Sequence, residues 1–227
     1  MSSNSHRIIL FANGELNNPN AVLSTLDAED FLIAVDGGLQ HMTKMMLIPD
    51  LIIGDLDSAD PDAVKHYTKL GVEIRKFPQD KNETDLELAI SAALERDPAS
   101  ILIIAALGGR LDQTLANLYL LTRPDLSGLN VRLVDGKQEV FLVQGEAVIT
   151  GQTGQRVSLI PLCSPVTGIH TTGLKYPLQN ETLYTHKTRG ISNEMASDSA
   201  RITLREGILL CIHEINEPTS RVVQKGE

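Results

Sequence analysis

Through about residue 135 this chain alternates short apolar runs with segments of helical period, and beyond that point the helical period stops. No other feature restricts the fold as much. Residues 7–12, 31–35, 51–54, 72–77, 100–106 and 131–135 read as strands, and residues 20–26, 39–46, 61–70, 85–95 and 111–121 as helices. Strands and helices taken in turn with short connections imply an α/β unit with a mainly parallel sheet covered on both faces. In the last helix Leu111, Leu115, Leu118 and Thr122 share one face, which predicts a buried stripe. After residue 137 the runs 139–144, 147–149, 156–161, 168–171, 182–184, 199–204 and 208–215 are short, β-rich and punctuated by Gly, Pro, Asn or Asp. That pattern predicts an all-β, sandwich-like antiparallel domain. The expected division is residues 1–136, 137–216 and a polar tail at 217–227.

Composition removes several functional classes. A 227-residue chain with 42% hydrophobic residues can bury a real core. Its 20 basic residues against 29 acidic ones, with no basic run, argue against nonspecific nucleic-acid binding, which depends on neutralising phosphates. No apolar stretch approaches the roughly 18 residues of a membrane span. The apolar run at 8–12 is too short for a secretory core and suits a first strand. Cys163 and Cys211 are expected as buried, reduced thiols, and the cytoplasm is the expected compartment.

The unusual residues fall where the predicted parallel strands end, which is where open α/β sheets bind ligands. Asp36-Gly37-Gly38 follows one strand and opens a helix; its glycines permit close backbone approach, although a tight turn alone explains them. In Gly54-Asp55-Leu56-Asp57-Ser58 two acids on alternate residues of an extended segment would point the same way, toward one Mg²⁺. Asp60-Pro61 already supplies the cap of the next helix, so neither acid is needed there. Thr84 and Glu87 form a capping box, and Asp85 in the first turn suits the helix dipole. Lys81 is either a solvated lysine or a phosphate contact. In Gly108-Gly109-Arg110-Leu111-Asp112, Arg110 could grip phosphate, and Asp112 could orient a hydroxyl or share a metal; the alternative is a surface Arg–Asp pair. Phosphate loops of the G-x-x-x-x-G-K-[ST] and G-x-G-x-x-G types, nucleophile elbows and metal-spaced Cys/His clusters are missing. His41, His66, His170, His186 and His213 are expected at the surface or in strands.

In this order and spacing, Asp36-Gly37-Gly38, Gly54-Asp55-Leu56-Asp57-Ser58, Lys81-x-x-Thr84-Asp85 and Gly108-Gly109-Arg110-x-Asp112 resemble the thiamin pyrophosphokinase family. Gly173-Leu174-Lys175-Tyr176-Pro177-Leu178 and Gly190-Ile191-Ser192-Asn193-Glu194 extend the resemblance through the second half. It implies an N-terminal nucleotide-binding domain, a C-terminal thiamin-binding sandwich, and a homodimer whose active sites lie between subunits. The implied reaction is ATP plus thiamin giving AMP plus thiamin diphosphate. By the same resemblance Asp55, Asp57 and Asp85 bind Mg²⁺ and the triphosphate. Asp36, Gly37, Gly38, Lys81, Thr84, Gly108, Gly109 and Arg110 hold the nucleotide. Asp112 faces the thiamin hydroxyl, and Ser192 and Asn193 line the thiamin pocket.

Overall fold

The computed structural model describes residues 6–215; the polar tail expected at 217–227 lies outside them. Two compact units are present, one through Gly136 and one from Lys137.

In the first unit the elements run β1 (Arg7–Phe11), α1 (Pro19–Leu23), β2 (Phe31–Val35), α2 (Leu39–Lys44), β3 (Leu51–Gly54), α3 (Pro61–Lys69), β4 (Glu73–Lys76), α4 (Asp85–Leu94), β5 (Ser100–Ile104), α5 (Leu111–Leu120) and β6 (Asn130–Val134). Its strands stand in the order β6-β5-β1-β2-β3-β4, with every pairing parallel. β1 lies near the middle, and Ile8, Ile9, Leu10 and Phe11 are buried at successive positions, as a strand covered on both faces requires. β4 closes one edge with Glu73 and Lys76 exposed, charges that discourage further pairing. Helix starts follow local chemistry. Asp60 accepts from the Asp62 N–H at 2.9 Å ahead of Pro61, and Thr84 Oγ1 accepts from the Glu87 N–H at 3.2 Å.

The chain leaves β1 toward β2, β3 and β4, then crosses back to place β5 and β6 on the other side. The strand order therefore reverses between β1 and β5, and a ligand crevice is expected outside their carboxyl ends. One expectation fails here. α5 buries none of its residues: Leu111 is 72%, Leu115 47% and Tyr119 58% exposed. Periodicity correctly marks an apolar face, but it does not say whether the same chain covers that face.

The second unit holds two antiparallel sheets. One has the order β12-β9-β14-β7, from β7 (Gln138–Val143), β9 (Arg156–Pro161), β12 (Asn193–Glu194) and β14 (Leu209–Glu214). The other is β11-β10-β13-β8, from β8 (Glu146–Thr150), β10 (Val166–Thr172), β11 (Gln179–Leu183) and β13 (Ser199–Thr203). Phe141, Val157, Leu159, Leu209 and Cys211 of the first share one core with Ile149, Val166, Ile169 and Ile202 of the second. Cys211 is buried as expected, but Cys163 is exposed, because it sits past the end of β9 where its Sγ meets the Ile208 N–H at 3.3 Å. His213, on β14, is buried between Glu139 and Gln155, each 3.0 Å from one ring nitrogen.

Candidate functional site

At the carboxyl end of β2 the chain turns sharply through Asp36, whose φ of 47° is uncommon for a residue with a side chain. Gly38 follows because a Cβ there would drive into the Phe11 carbonyl. The turn leaves Asp36 only 9% exposed, and its Oδ1 finds no hydrogen-bond partner. Burial is the main cause that pushes its carboxyl above the ordinary range; the nearby Gly37 N–H and Ser58 hydroxyl oppose this, and the charges of Asp85 and Asp55 add to it.

β3 ends at Gly54, and the segment after it is not the extended one that the alternation of acids suggested. Leu56 takes a φ of 64°, and Asp55 Oδ1 accepts from the Asp57 N–H at 3.0 Å, closing a turn. The two carboxylates therefore converge through an aspartate turn. Ser58 Oγ donates to Asp57 Oδ1 at 3.0 Å and Gln79 Nε2 to Asp57 Oδ2 at 2.9 Å, which fixes that side chain. Oxygen atoms of Asp36, Asp55 and Asp57 all lie within 4.8 Å of one another. Asp36, which the sequence resemblance gave to the nucleotide, thus stands with the acids it gave to the metal. Three acids so close repel one another unless protons or a cation intervene, and an all-oxygen donor set suits a hard divalent cation.

Asp85 opens α4 with its Oδ1 2.8 Å from Lys81 Nζ, in a pair that is 25% and 12% exposed. Thr84 is committed to capping, so the segment 81–85 delivers one lysine and one acid beside the cluster rather than two free groups.

After β5, Arg110 and Asp112 form the bidentate pair that was the plainer alternative, with Nε–Oδ1 at 3.1 Å and Nη2–Oδ2 at 2.6 Å. Both are exposed, and the guanidinium holds the Asp112 carboxyl below its usual range, with help from the Gln113 N–H. Gly108 and Gly109 both have positive φ, 78° and 66°, which explains glycine at each.

One segment escaped the sequence reading. The loop after β1 is tied to the loop after β5 by Gly14 N–H to the Ala105 carbonyl at 2.6 Å, Glu15 N–H to that of Leu107 at 2.9 Å, and Gly109 N–H to Glu15 Oε1 at 3.0 Å. Gln40 Nε2 donates to Asn13 Oδ1 at 2.7 Å. An Asn-Gly directly after the central strand was the available signal, and its place at the switch point emerges only with the strand order. His41, half-buried on α2, reaches the Gly14 carbonyl at 3.0 Å, and burial lowers its pKa.

In the second unit Tyr176, Leu178, Thr188, Arg189, Gly190, Ile191 and Asn193 line a concavity of 240 Å³. Arg189 is held there by a bidentate pair with Glu181. Ser192, with φ 58°, donates its N–H to Ser158 Oγ at 3.0 Å; it lies beside the lining residues without being one of them. Among the described residues no helix is long and apolar enough to cross a membrane.

Comparison with known proteins matches residues 22–133 to the thiamin pyrophosphokinase catalytic domain and residues 146–209 to the thiamin pyrophosphokinase vitamin B1 binding domain. A thiamine pyrophosphokinase of Bacillus subtilis is 30% identical over 207 residues, 90% of this chain and 97% of its own. The crystal structure of the Bacillus subtilis thiamine pyrophosphokinase superposes with a TM-score of 0.83 at 28% identity, covering 93% of this chain and 100% of that one. The Geobacillus thermodenitrificans thiamin pyrophosphokinase gives 0.79 at 26% identity over 94% of this chain and 98% of that one.

Proposed function

The chain belongs to the thiamin pyrophosphokinase family, and we propose that the acids gathered at the strand ends of its first unit form the diphosphate-transfer site. The protein is an enzyme that places a diphosphate group on thiamin. The observation that carries the site assignment is the gathering of Asp36, Asp55 and Asp57, one carboxylate oxygen of each within 4.8 Å of the others, where Asp36 also has a buried Oδ1 without a hydrogen-bond partner. Those three residues fit Mg²⁺ and would hold it, with Asp85 beside them. When bound, such a cation neutralises phosphate oxygens of the triphosphate.

The remaining groups have tasks set by phosphoryl chemistry, in which alignment and charge stabilisation dominate. The thiamin hydroxyl oxygen attacks the β-phosphorus of ATP. A new O–P bond forms, the bond from that phosphorus to the oxygen bridging it to the α-phosphorus breaks, and AMP leaves with that oxygen. Asp112 orients the hydroxyl and takes its proton late in the step, as the new bond forms. Arg110 and Lys81, now paired with Asp112 and Asp85, would each exchange that carboxylate for phosphate oxygens. Gly37, Gly38, Gly108 and Gly109 let backbone approach the nucleotide, and Thr84 keeps α4 aimed at it through its cap. The concavity with Asn193 and Tyr176 receives thiamin, with Ser192 at its side. We also infer a homodimer, a reading that the exposed Leu111, Leu115 and Tyr119 of α5 support.

Calorimetric titration of the nucleotide-free protein with Mg²⁺ and Mn²⁺ tests the metal assignment. Binding is expected in the parent and lost in Asp57→Asn; unchanged binding in that variant would sink it.

A further inference from the structure

Asn193 lines the concavity, yet its side chain is almost fully spent on the protein itself. It is 9% exposed. Oδ1 accepts from the Tyr176 N–H at 3.0 Å and from the Glu194 N–H at 2.9 Å, and Nδ2 donates to the Tyr176 carbonyl at 2.8 Å. An amide offers two acceptor sites and two donor hydrogens, so both acceptor sites and one hydrogen are taken. The side chain clamps both backbone groups of one residue, as a neighbouring strand would.

Tyr176 needs such a clamp. The loop that carries it is fastened at its two ends. At one, the Lys175 N–H meets the Glu194 carbonyl at 2.9 Å, the Ala196 N–H meets the Gly173 carbonyl at 2.8 Å, and Lys175 Nζ pairs with Glu194 at 2.9 Å. At the other, Leu178 donates to Thr171 Oγ1 at 2.8 Å, and the Thr171 N–H meets the Leu178 carbonyl at 3.0 Å. Between these ends lie Tyr176 and Pro177, and proline has no N–H to contribute. At the apex, both backbone groups of Tyr176 are thus held by Asn193. Tyr176 itself is 56% exposed and lines the concavity, and over its ring stands the exposed Lys175 ammonium, 5.5 Å from the centroid, a contact too open to fix the ring alone.

We propose that Asn193 is a positioning residue: it fixes the backbone of Tyr176 so that the phenol ring forms a preset wall of the thiamin concavity, and it acts on thiamin through that ring. The inference rests on thiamin occupying this concavity. Pre-setting a wall spares the ordering cost that a mobile aromatic would add on binding, so the clamp acts on thiamin affinity and leaves the nucleotide site alone.

A double-mutant cycle tests it, with Asn193→Ala, Tyr176→Ala and the pair, each read as KM and kcat for thiamin and KM for ATP. Each single change is expected to raise the thiamin KM about five- to tenfold, the order of one lost ordering contribution. The ATP KM should stay unchanged, and the pair should be no worse than Tyr176→Ala alone. Additive effects would show that Asn193 touches thiamin independently and would overturn the proposal. Asn193→Asp keeps both acceptors and serves where the alanine variant does not fold; its expected defect is smaller, and one equal to the full tyrosine deletion also counts against the clamp. The chain has no tryptophan, so Tyr176→Trp supplies a single tryptophan that can be excited selectively. Its anisotropy should fall when Asn193→Asp or Asn193→Ala is added, and an unchanged anisotropy contradicts the clamp. If the parent makes no thiamin diphosphate at all, the functional reading fails instead, while the anisotropy experiment still decides the clamp.

Discussion

Replacing Asp36 by Asn should stabilise the metal-free protein while destroying the site. Asn accepts a positive φ about as readily as Asp, so the 47° backbone at this position is no obstacle. The change removes one charge from a group whose oxygens lie within 4.8 Å of each other. At that outer limit two like charges repel by about 1 kcal/mol in water-like surroundings and about 3.5 kcal/mol at the effective dielectric of a protein surface. Asp57 is exposed, which favours the lower value, while the burial of Asp36 adds to the gain. A net stabilisation of about 1–3 kcal/mol follows, or about 2–10 °C in the melting of the first unit. The pH dependence has a definite sign. The folded state raises the Asp36 pKa, so the acid's penalty is absent at low pH, where it is protonated folded and unfolded alike. The penalty grows as pH climbs past the ordinary carboxylate range and is full above the raised value. The gain in the variant should therefore be greatest near neutral pH and vanish in acid. Scanning calorimetry in chelator across pH measures it. Excess Mg²⁺ should then raise the parent's midpoint and not the variant's. A variant that melts below the parent at neutral pH without metal would show that Asp36 has a stabilising partner, and the reasoning from its orphaned oxygen would be wrong.

Other substitutions probe the remaining parts. Asp57→Asn and Asp85→Asn should each reduce turnover by about a hundredfold or more while circular dichroism stays that of the parent, as expected for loss of transition-state charge stabilisation; near-normal turnover refutes the roles given to them. Gly38→Ala forces a Cβ into the Phe11 carbonyl and should cost about 1–3 kcal/mol or more in denaturant unfolding. Removing the guanidinium with Arg110→Ala should return the Asp112 carboxyl toward its usual range, moving the acid limb of kcat/KM to higher pH as well as lowering its height. Leu115→Glu places a charge on the exposed apolar face of α5 and, if the proposed homodimer forms through that face, should shift it toward a single copy in analytical ultracentrifugation, with Leu115→Met unchanged.

Much of this could be read from the chain because the signals were local. The strands at 31–35, 51–54 and 156–161 end where their apolar runs end, since glycine or turn chemistry stops them, and the caps at Asp60 and Thr84 need only neighbouring residues. What escaped depends on contacts between distant segments. Asp36 joins Asp55 and Asp57 only because β2 and β3 are neighbours in the sheet. Asn13, Gly14 and Glu15 gain a role only when β5 lies beside β1. The two-residue β12 is too short for any period to reveal, and it is Asn193 within it that clamps a loop 17 positions away. Cys163 lies in apolar-looking sequence that turns outward after β9, and α5 keeps its stripe without a cover from its own unit.

The central claim is transfer of an intact diphosphate group from ATP to thiamin at the Asp36–Asp55–Asp57 site. Phosphorus NMR on the purified protein with ATP, Mg²⁺ and thiamin tests it most directly, because it separates AMP, ADP, pyrophosphate and thiamin diphosphate in one spectrum. The account predicts AMP and thiamin diphosphate rising in equal amounts, only when thiamin is present, and neither product from Asp57→Asn. AMP with free pyrophosphate in the absence of thiamin, or ADP as the nucleotide product, would contradict it.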